Sequence, residues 1–166
     1  MSEAFFGALL DADDAALWRE KQRGEGRTVV FTNGCFDLVH AGHVAYLAWA
    51  RAQGDALVVG LNDDESVRKI KGRSRPIVPF EQRATVLRGL RSVDVVVGFP
   101  ERTPETLLDR IQPDVHVKSE QYRVEDLPER TVVLQHGGRI ALAPHLAGES
   151  TTDLIARIID AYSLHR

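Results

Sequence analysis

VVFTNGCFDLVHAGHVAYL, residues Val29 to Leu47, opens on β-prone residues, crosses a polar centre broken by glycine, and closes on a helix face. Val29 to Phe31 read as a short buried strand, Gly34 breaks it, and Gly42 to Gln53 read as a helix stopped by Gly54. The order is strand, polar loop, helix. Downstream, DALVVGLN, SVDVVVGF and PDVHVKS are further apolar runs, each preceded by a helical or mixed segment. Runs that are apolar throughout, rather than alternating, belong to strands buried on both faces, the pattern of a parallel sheet covered by helices. The expected fold is therefore α/β: a Rossmann-like, open, mostly parallel sheet of five or so strands with helices on both faces.

Further helices are expected from Pro79 or Phe80 to Leu90, from Pro104 to about Ile111, and over STTDLIARIIDAYSLHR, where Ile155, Ile158, Ile159 and Tyr162 share a face. RTVVLQHGGRIALAP is expected to hold a fifth short strand and a sixth element. At the other end, Phe5, Phe6, Leu9, Leu10 and Trp18 stand among acids and suggest one or two amphipathic helical turns, closed by Gly24 and Gly26. Residues 1–26 are accordingly expected to be an N-terminal helical extension packed on a domain spanning 27–166.

The gross composition is that of an ordinary globular chain: 166 residues, 43% hydrophobic and 27% charged. With 21 basic against 24 acidic residues the net charge is −3, so nothing draws the whole chain to nucleic acid or an anionic membrane. No segment approaches the roughly 20 apolar residues of a spanning helix. The lone Cys35 has no intramolecular disulfide partner, and no export signal opens the chain, so the cytoplasm is the expected compartment.

In an open parallel sheet ligands gather beyond the carboxyl ends of the strands, where residues 32 to 43 lie. Gly34 admits a close phosphate, and Gly42 leaves a helix start unshielded. His40 and His43, three apart, face one volume if the helical turn includes both, which suits a phosphoryl group gathering charge. A polar turn and a packed or capping histidine pair remain competing readings on spacing alone. Zinc is the weaker one, because no further Cys/His ligands stand nearby and Cys35 reads as a small buried side chain. Arg68, Lys69, Lys71, Arg73 and Arg75 form a basic run that either covers a solvated face or folds over bound phosphates. Ser150, Thr151 and Thr152 can cap the last helix or bind a phosphate at its start. Asp63 and Asp64 either cap a helical turn or receive hydroxyls of a substrate. Trp49 reads as packing, and His116 sits unresolved between valines in a strand.

FTNGCFDLVHAGHVAYL, KGRSRPIVPFEQR, the pair Gly137–Gly138 and GESTTDLI together resemble the nucleotidyltransferase domain of bacterial heptose-1-phosphate adenylyltransferases, the second half of the ADP-heptose synthase. They resemble glycerol-3-phosphate cytidylyltransferases less closely. The likeness covers about residues 27 to 160. HxGH alone, His40 to His43, is shared by a broad superfamily and identifies chemistry better than substrate.

The resemblance implies transfer of a nucleotidyl group, AMP from ATP above all, to a sugar 1-phosphate by direct attack, with Mg²⁺ and release of pyrophosphate. It implies His40, His43, Lys71 and Arg83 as catalytic residues. Thr32, Asn33, Gly34, Cys35, Phe36 and Gly42, with Ser150, Thr151 and Thr152, are implied around the nucleotide phosphates. Asp37, Asp63, Lys118 and Tyr122 are implied on the substrate side, with no residue assigned as a direct metal ligand. A homodimer is the implied assembly. The family's KGGDY or KGxDW pattern is altered: Ser119 and Glu120 replace glycines and Gln121 replaces the acid, while Lys118 and Tyr122 match. A cytidylyltransferase acting on glycerol 3-phosphate and a nucleotide-binding protein without turnover are the alternatives. The 26 residues before Arg27 are too few for an attached sugar kinase, so phosphorylation is expected from another protein.

Overall fold

A computed structural model describes residues 6–144 and 151–163. The apolar runs become β2 (Val29–Gly34), β3 (Ala56–Asn62), β4 (Val95–Phe99) and β5 (Val115–Ser119). They are joined by β1 (Ala8–Leu10) and β6 (Arg139–Ala143) in one six-stranded sheet of order β1-β4-β3-β2-β5-β6. Every pairing is parallel. The helices are α1 (Ala12–Gly24), α2 (Ala41–Arg51), α3 (Asp64–Lys71), α4 (Phe80–Arg88), α5 (Glu105–Ile111), α6 (Arg130–Gln135) and α7 (Thr151–Ser163).

Burial on both faces follows the strand period. Val30, Leu57, Val59 and Leu61 pack with Leu47 and Ala50 of α2 and Ala84 and Leu87 of α4. Val29, Phe31, Val58, Val95 and Val97 pack on the opposite face with Ala15 of α1, Leu107, Leu108 and Ile111 of α5, and Val133 of α6. Trp49 is partly buried against the first of these layers, as packing. The chain walks outward from β2 through β3 to β4, then returns to the other side for β5 and β6. That reversal places a topological switch between β2 and β5, where such sheets leave a crevice at their carboxyl ends.

One expectation needs correction and another is completed. The segment expected as a helical extension is helical only in part over its described residues: Ala8, Leu9 and Leu10 are an edge strand in register with Val95, Val96 and Val97, and only then does α1 begin, capped by Asp11. The approach depends on Gly7, whose Cβ, were there one, would meet the Val93 carbonyl oxygen at 2.7 Å. Short apolar windows fit helix and strand alike, and it is the open edge of β4 that selects the strand. In RTVVLQHGGRIALAP, where a short strand and a further element are expected without their order, RTVVLQ is α6 and RIALA is the strand β6. The helix buries Val133 alone, and Gly137, at φ 76, turns the chain as the Gly138 amide donates to the Val133 carbonyl. A parallel β5-to-β6 crossover needs such a connection, and this overrides the β preference of Val132 and Val133.

Candidate active site

The polar centre of the opening stretch lies at the carboxyl end of β2. His40 is the N-cap of α2, with extended backbone at φ −134, and His43 stands in the first turn. Their ring centroids are 3.9 Å apart. Burial first, and the neighbouring His40 second, push His43 down to about 4. At neutral pH His43 is therefore a neutral imidazole with one N–H to donate. Phe36 turns the loop through the left-handed region at φ 44 and lays its ring 5.3 Å from that of His43. The same ring covers Gly34, where a Cβ would stand 3.0 Å from it.

The loop is held from beneath by committed charges. Asp37, 4% exposed, accepts hydrogen bonds from the amides of Ile77 and Val78 and pairs with Arg75. Burial alone would raise its carboxyl, but the Val78 and Ile77 amides and Arg75 outweigh it and hold it below the usual range. Arg83 is 1% exposed and donates to the carbonyls of Val78 (2.9 Å), Cys35 (2.6 Å) and Asn62 (2.9 Å), and to Asp64 (2.7 Å). One guanidinium thus ties the ends of β2 and β3 to the start of α4. Desolvation pushes the Cys35 thiol up against the pull of Lys71, Arg83 and Arg75, so it is a protonated spectator at neutral pH.

These elements border a cleft of about 740 Å³. Of the expected residues it gathers Asn33, Gly34, Cys35, Phe36, Asp37, His40, Gly42, His43, Lys71, Lys118, Tyr122, Thr151 and Thr152. Ser150, like His145 and His165, lies outside the described residues. Thr32 is absent from the lining: it is fully buried and bonds to the Tyr46 hydroxyl (2.8 Å) and the Val117 carbonyl (3.0 Å), joining β2 to α2 and β5. Arg83 is likewise absent from the lining, a strut rather than a phosphate contact in this arrangement. Asp63 caps α3 by accepting from the Ser66 amide at 2.7 Å and does not reach the cleft. The basic run divides: Lys71 and Arg75 border the cleft, whereas Lys69 pairs with Glu65 on the solvent side.

Beyond β5, Lys118 pairs with Glu129 at 2.9 Å and lies 5.2 Å from the centre of the Tyr122 ring. Glu129 is 2% exposed, and its second oxygen has no hydrogen-bond partner. Sequence reasoning passed over Glu129, Asn62, Arg102 and Thr103, all of which border the cleft. Glu129 and Arg102 come from segments distant in sequence from the histidine loop and carry no local motif. Their only sequence signal is a position one loop beyond a strand's carboxyl end.

The arrangement can receive a polyphosphate between a histidine pair, a glycine-bearing loop and a helix start, with cations along one side. A family model for cytidylyltransferase-like proteins matches residues 31–157. The chain belongs to the cytidylyltransferase-like family. Among similar proteins are the "Bifunctional protein HldE" of Syntrophotalea carbinolica, 49% identical over 143 residues, and that of Alkalilimnicola ehrlichii, 50% identical over 139. The matches cover 86% and 84% of this chain but only 29% of each of those proteins. The lipopolysaccharide core biosynthesis protein from Thermoplasma volcanium has a similar fold, with a TM-score of 0.61 at 22% identity over 75% of this chain and all of that one. In this chain the order of the six parallel strands puts the loop that carries His40 and His43 at the switch between β2 and β5.

Proposed function

We propose that this protein is a nucleotidyltransferase that moves AMP from ATP to a sugar 1-phosphate, such as D-glycero-D-manno-heptose 1-phosphate, and releases pyrophosphate. The observation that carries this reading is the pairing of the His40 and His43 rings, 3.9 Å apart and both bordering the cleft, in a chain 49% identical to part of an HldE protein. An oxygen of the acceptor phosphate attacks the α-phosphorus in line, the bond to the bridging oxygen breaks, and pyrophosphate leaves with its electron pair. A phosphate monoester is already anionic at neutral pH, so no protein base is needed.

In this reading the imidazoles of His40 and His43 stand beside the α-phosphoryl group, where charge develops. Lys71 sits over the phosphates, and Thr151 and Thr152 at the start of α7 receive the leaving pyrophosphate. Asp37 and Arg83 act through the loops they hold. Among the described residues no group of three His, Cys, Asp or Glu is arranged to hold an ion, and the oxygens of Asp37 are taken by Arg75 and loop amides. The residues present do not make a fixed magnesium site, so magnesium enters as part of the triphosphate substrate, carried by phosphate oxygens.

A second reading, a cytidylyltransferase acting on glycerol 3-phosphate, is favoured by Ser119, Glu120 and Gln121, which depart from the heptose-family pattern, Ser119 and Gln121 bordering the cleft. A matrix of ATP, CTP, GTP and UTP against heptose 1-phosphates and glycerol 3-phosphate, read by pyrophosphate release, separates the two. Turnover confined to ATP with a heptose 1-phosphate is expected; turnover confined to CTP would select the second reading.

A further inference from the structure

The cations that border the cleft are Lys71, Arg75, Arg102 and Lys118. Two of them are already neutralised: Arg75 pairs with buried Asp37, and Lys118 pairs with buried Glu129. Among the described residues Lys71 and Arg102 pair with no carboxylate, and their charge is free for a ligand. Lys71 was legible from the basic run; Arg102 was not.

Arg102 stands in the loop between β4 and α5, and that loop is anchored by its backbone. The Glu101 carbonyl accepts from Asn62 Nδ2 (3.0 Å) and Ser66 Oγ (2.8 Å), and the Asp63 amide donates to the Phe99 carbonyl (3.0 Å). The main chain that presents Arg102 is therefore fixed to the end of β3, while the guanidinium itself is uncommitted.

The two sides of the histidine pair differ in character. Toward β5 and β6 the lining mixes Tyr122, Leu127 and Pro128 with Ser119, Gln121 and Asp126, and the one cation there, Lys118, is compensated by Glu129. Toward β3 and β4 lie the uncompensated Lys71 and Arg102. A mixed surface with an aromatic ring and no free cation suits a base, whereas free cations suit a second phosphorylated molecule. A guanidinium presents a planar fork that matches two phosphate oxygens at once, which an ammonium does not.

We propose that Arg102 binds the phosphate of the acceptor, so that it, rather than the 118–122 segment, selects a phosphomonoester on the β4 side of the histidines. This inference rests on the nucleotidyl-transfer reading of the cleft. The test compares wild type, Arg102→Ala and Arg102→Lys, with melting temperature as the check that each folds. Pyrophosphate release gives KM for each substrate, and calorimetric titration gives binding of heptose 1-phosphate, glycerol 3-phosphate and ATP separately.

Arg102→Ala is expected to raise KM for the phosphorylated acceptor about ten- to a hundredfold, to weaken its titration by a similar factor, and to leave KM for ATP within about twofold. Arg102→Lys is expected to recover part of the loss. An unchanged acceptor KM, or an equal rise for ATP, would overturn the assignment. If wild type turns over no pair, the transferase reading fails, and the titrations still decide Arg102. Equal phosphomonoester binding by wild type and Arg102→Ala, or none by either, rejects it.

Discussion

In the proposed reaction His43 is the side chain on which the chemistry most depends. It is held by Phe36 and His40 rather than by any long-range strut, so its removal should cost rate and not fold. His43→Ala is expected to lower turnover by some hundreds-fold, the loss of about 3 to 4 kcal/mol of transition-state stabilisation. Pyrophosphate release and thermal melting on one preparation check this, and retained turnover would remove His43 from the catalytic role. Arg83 is expected to behave in the opposite way. Truncation to Ala strands Asp64 and the carbonyls of Cys35, Asn62 and Val78, which should cost about 3 to 5 kcal/mol of stability. Arg83→Lys should recover little, since one ammonium cannot span those acceptors. A denaturant titration of both variants reads this directly. The EQR motif thus identified a residue that matters, but its role followed only from its burial among four acceptors.

At the level of elements, β1 and β5 carry the informative differences. β1 docks through Gly7, where any side chain meets the Val93 and Asp94 carbonyls at 2.7 and 2.8 Å. Gly7→Ala is expected to cost about 1 to 3 kcal/mol and to release the edge of β4. Faster amide exchange at Ala8, whose N–H donates to the Asp94 carbonyl, and at Leu10, with unchanged exchange in β2, would show it. His116 is fully buried in β5 beside Phe31, at a ring distance of 5.6 Å. Burial first and Lys118 second push it down to about 3, from 6.5. The unfolded chain therefore takes up this proton first. The His116 contribution to stability is whole above about pH 6.5 and is lost as pH falls toward 3, with a slope of at most about 1.4 kcal/mol per pH unit. His43, also depressed, acts in the same direction. His116→Phe should flatten, without abolishing, the acid limb of a stability-versus-pH curve measured by denaturant melts. An acid limb unchanged in His116→Phe would mean that His116 takes no part.

For the whole molecule, a ligand that binds only the folded chain stabilises it by mass action. ATP at a hundred times its dissociation constant should add about 2.7 kcal/mol, a rise in melting temperature of roughly 5 to 10 °C for a chain of this size. CTP at the same concentration should raise it less; an equal or larger shift with CTP would favour the cytidylyl reading. Among the described residues no helix is long and apolar enough to cross a membrane.

What the sequence determined by itself was the parallel core, because uniformly apolar runs such as ALVVGLN have no other stable environment. It also marked the loop after β2 as a candidate phosphate site, while the spacing of His40 and His43 by itself left a polar turn and a packed pair open. Tertiary structure alone decided which charges are spent and which are free. Asp37 with Arg75, Arg83 with Asp64 and Lys118 with Glu129 pair across 38, 19 and 11 residues, distances at which sequence pattern carries no signal. It also decided that Ala8 to Leu10 is a strand and RTVVL a helix, since both are short segments whose conformation is set by the open edge or the crossover they must complete. The residues that border the cleft, Arg102 and Glu129 among them, are picked out by that same folding, because only the sheet brings its loops to one end.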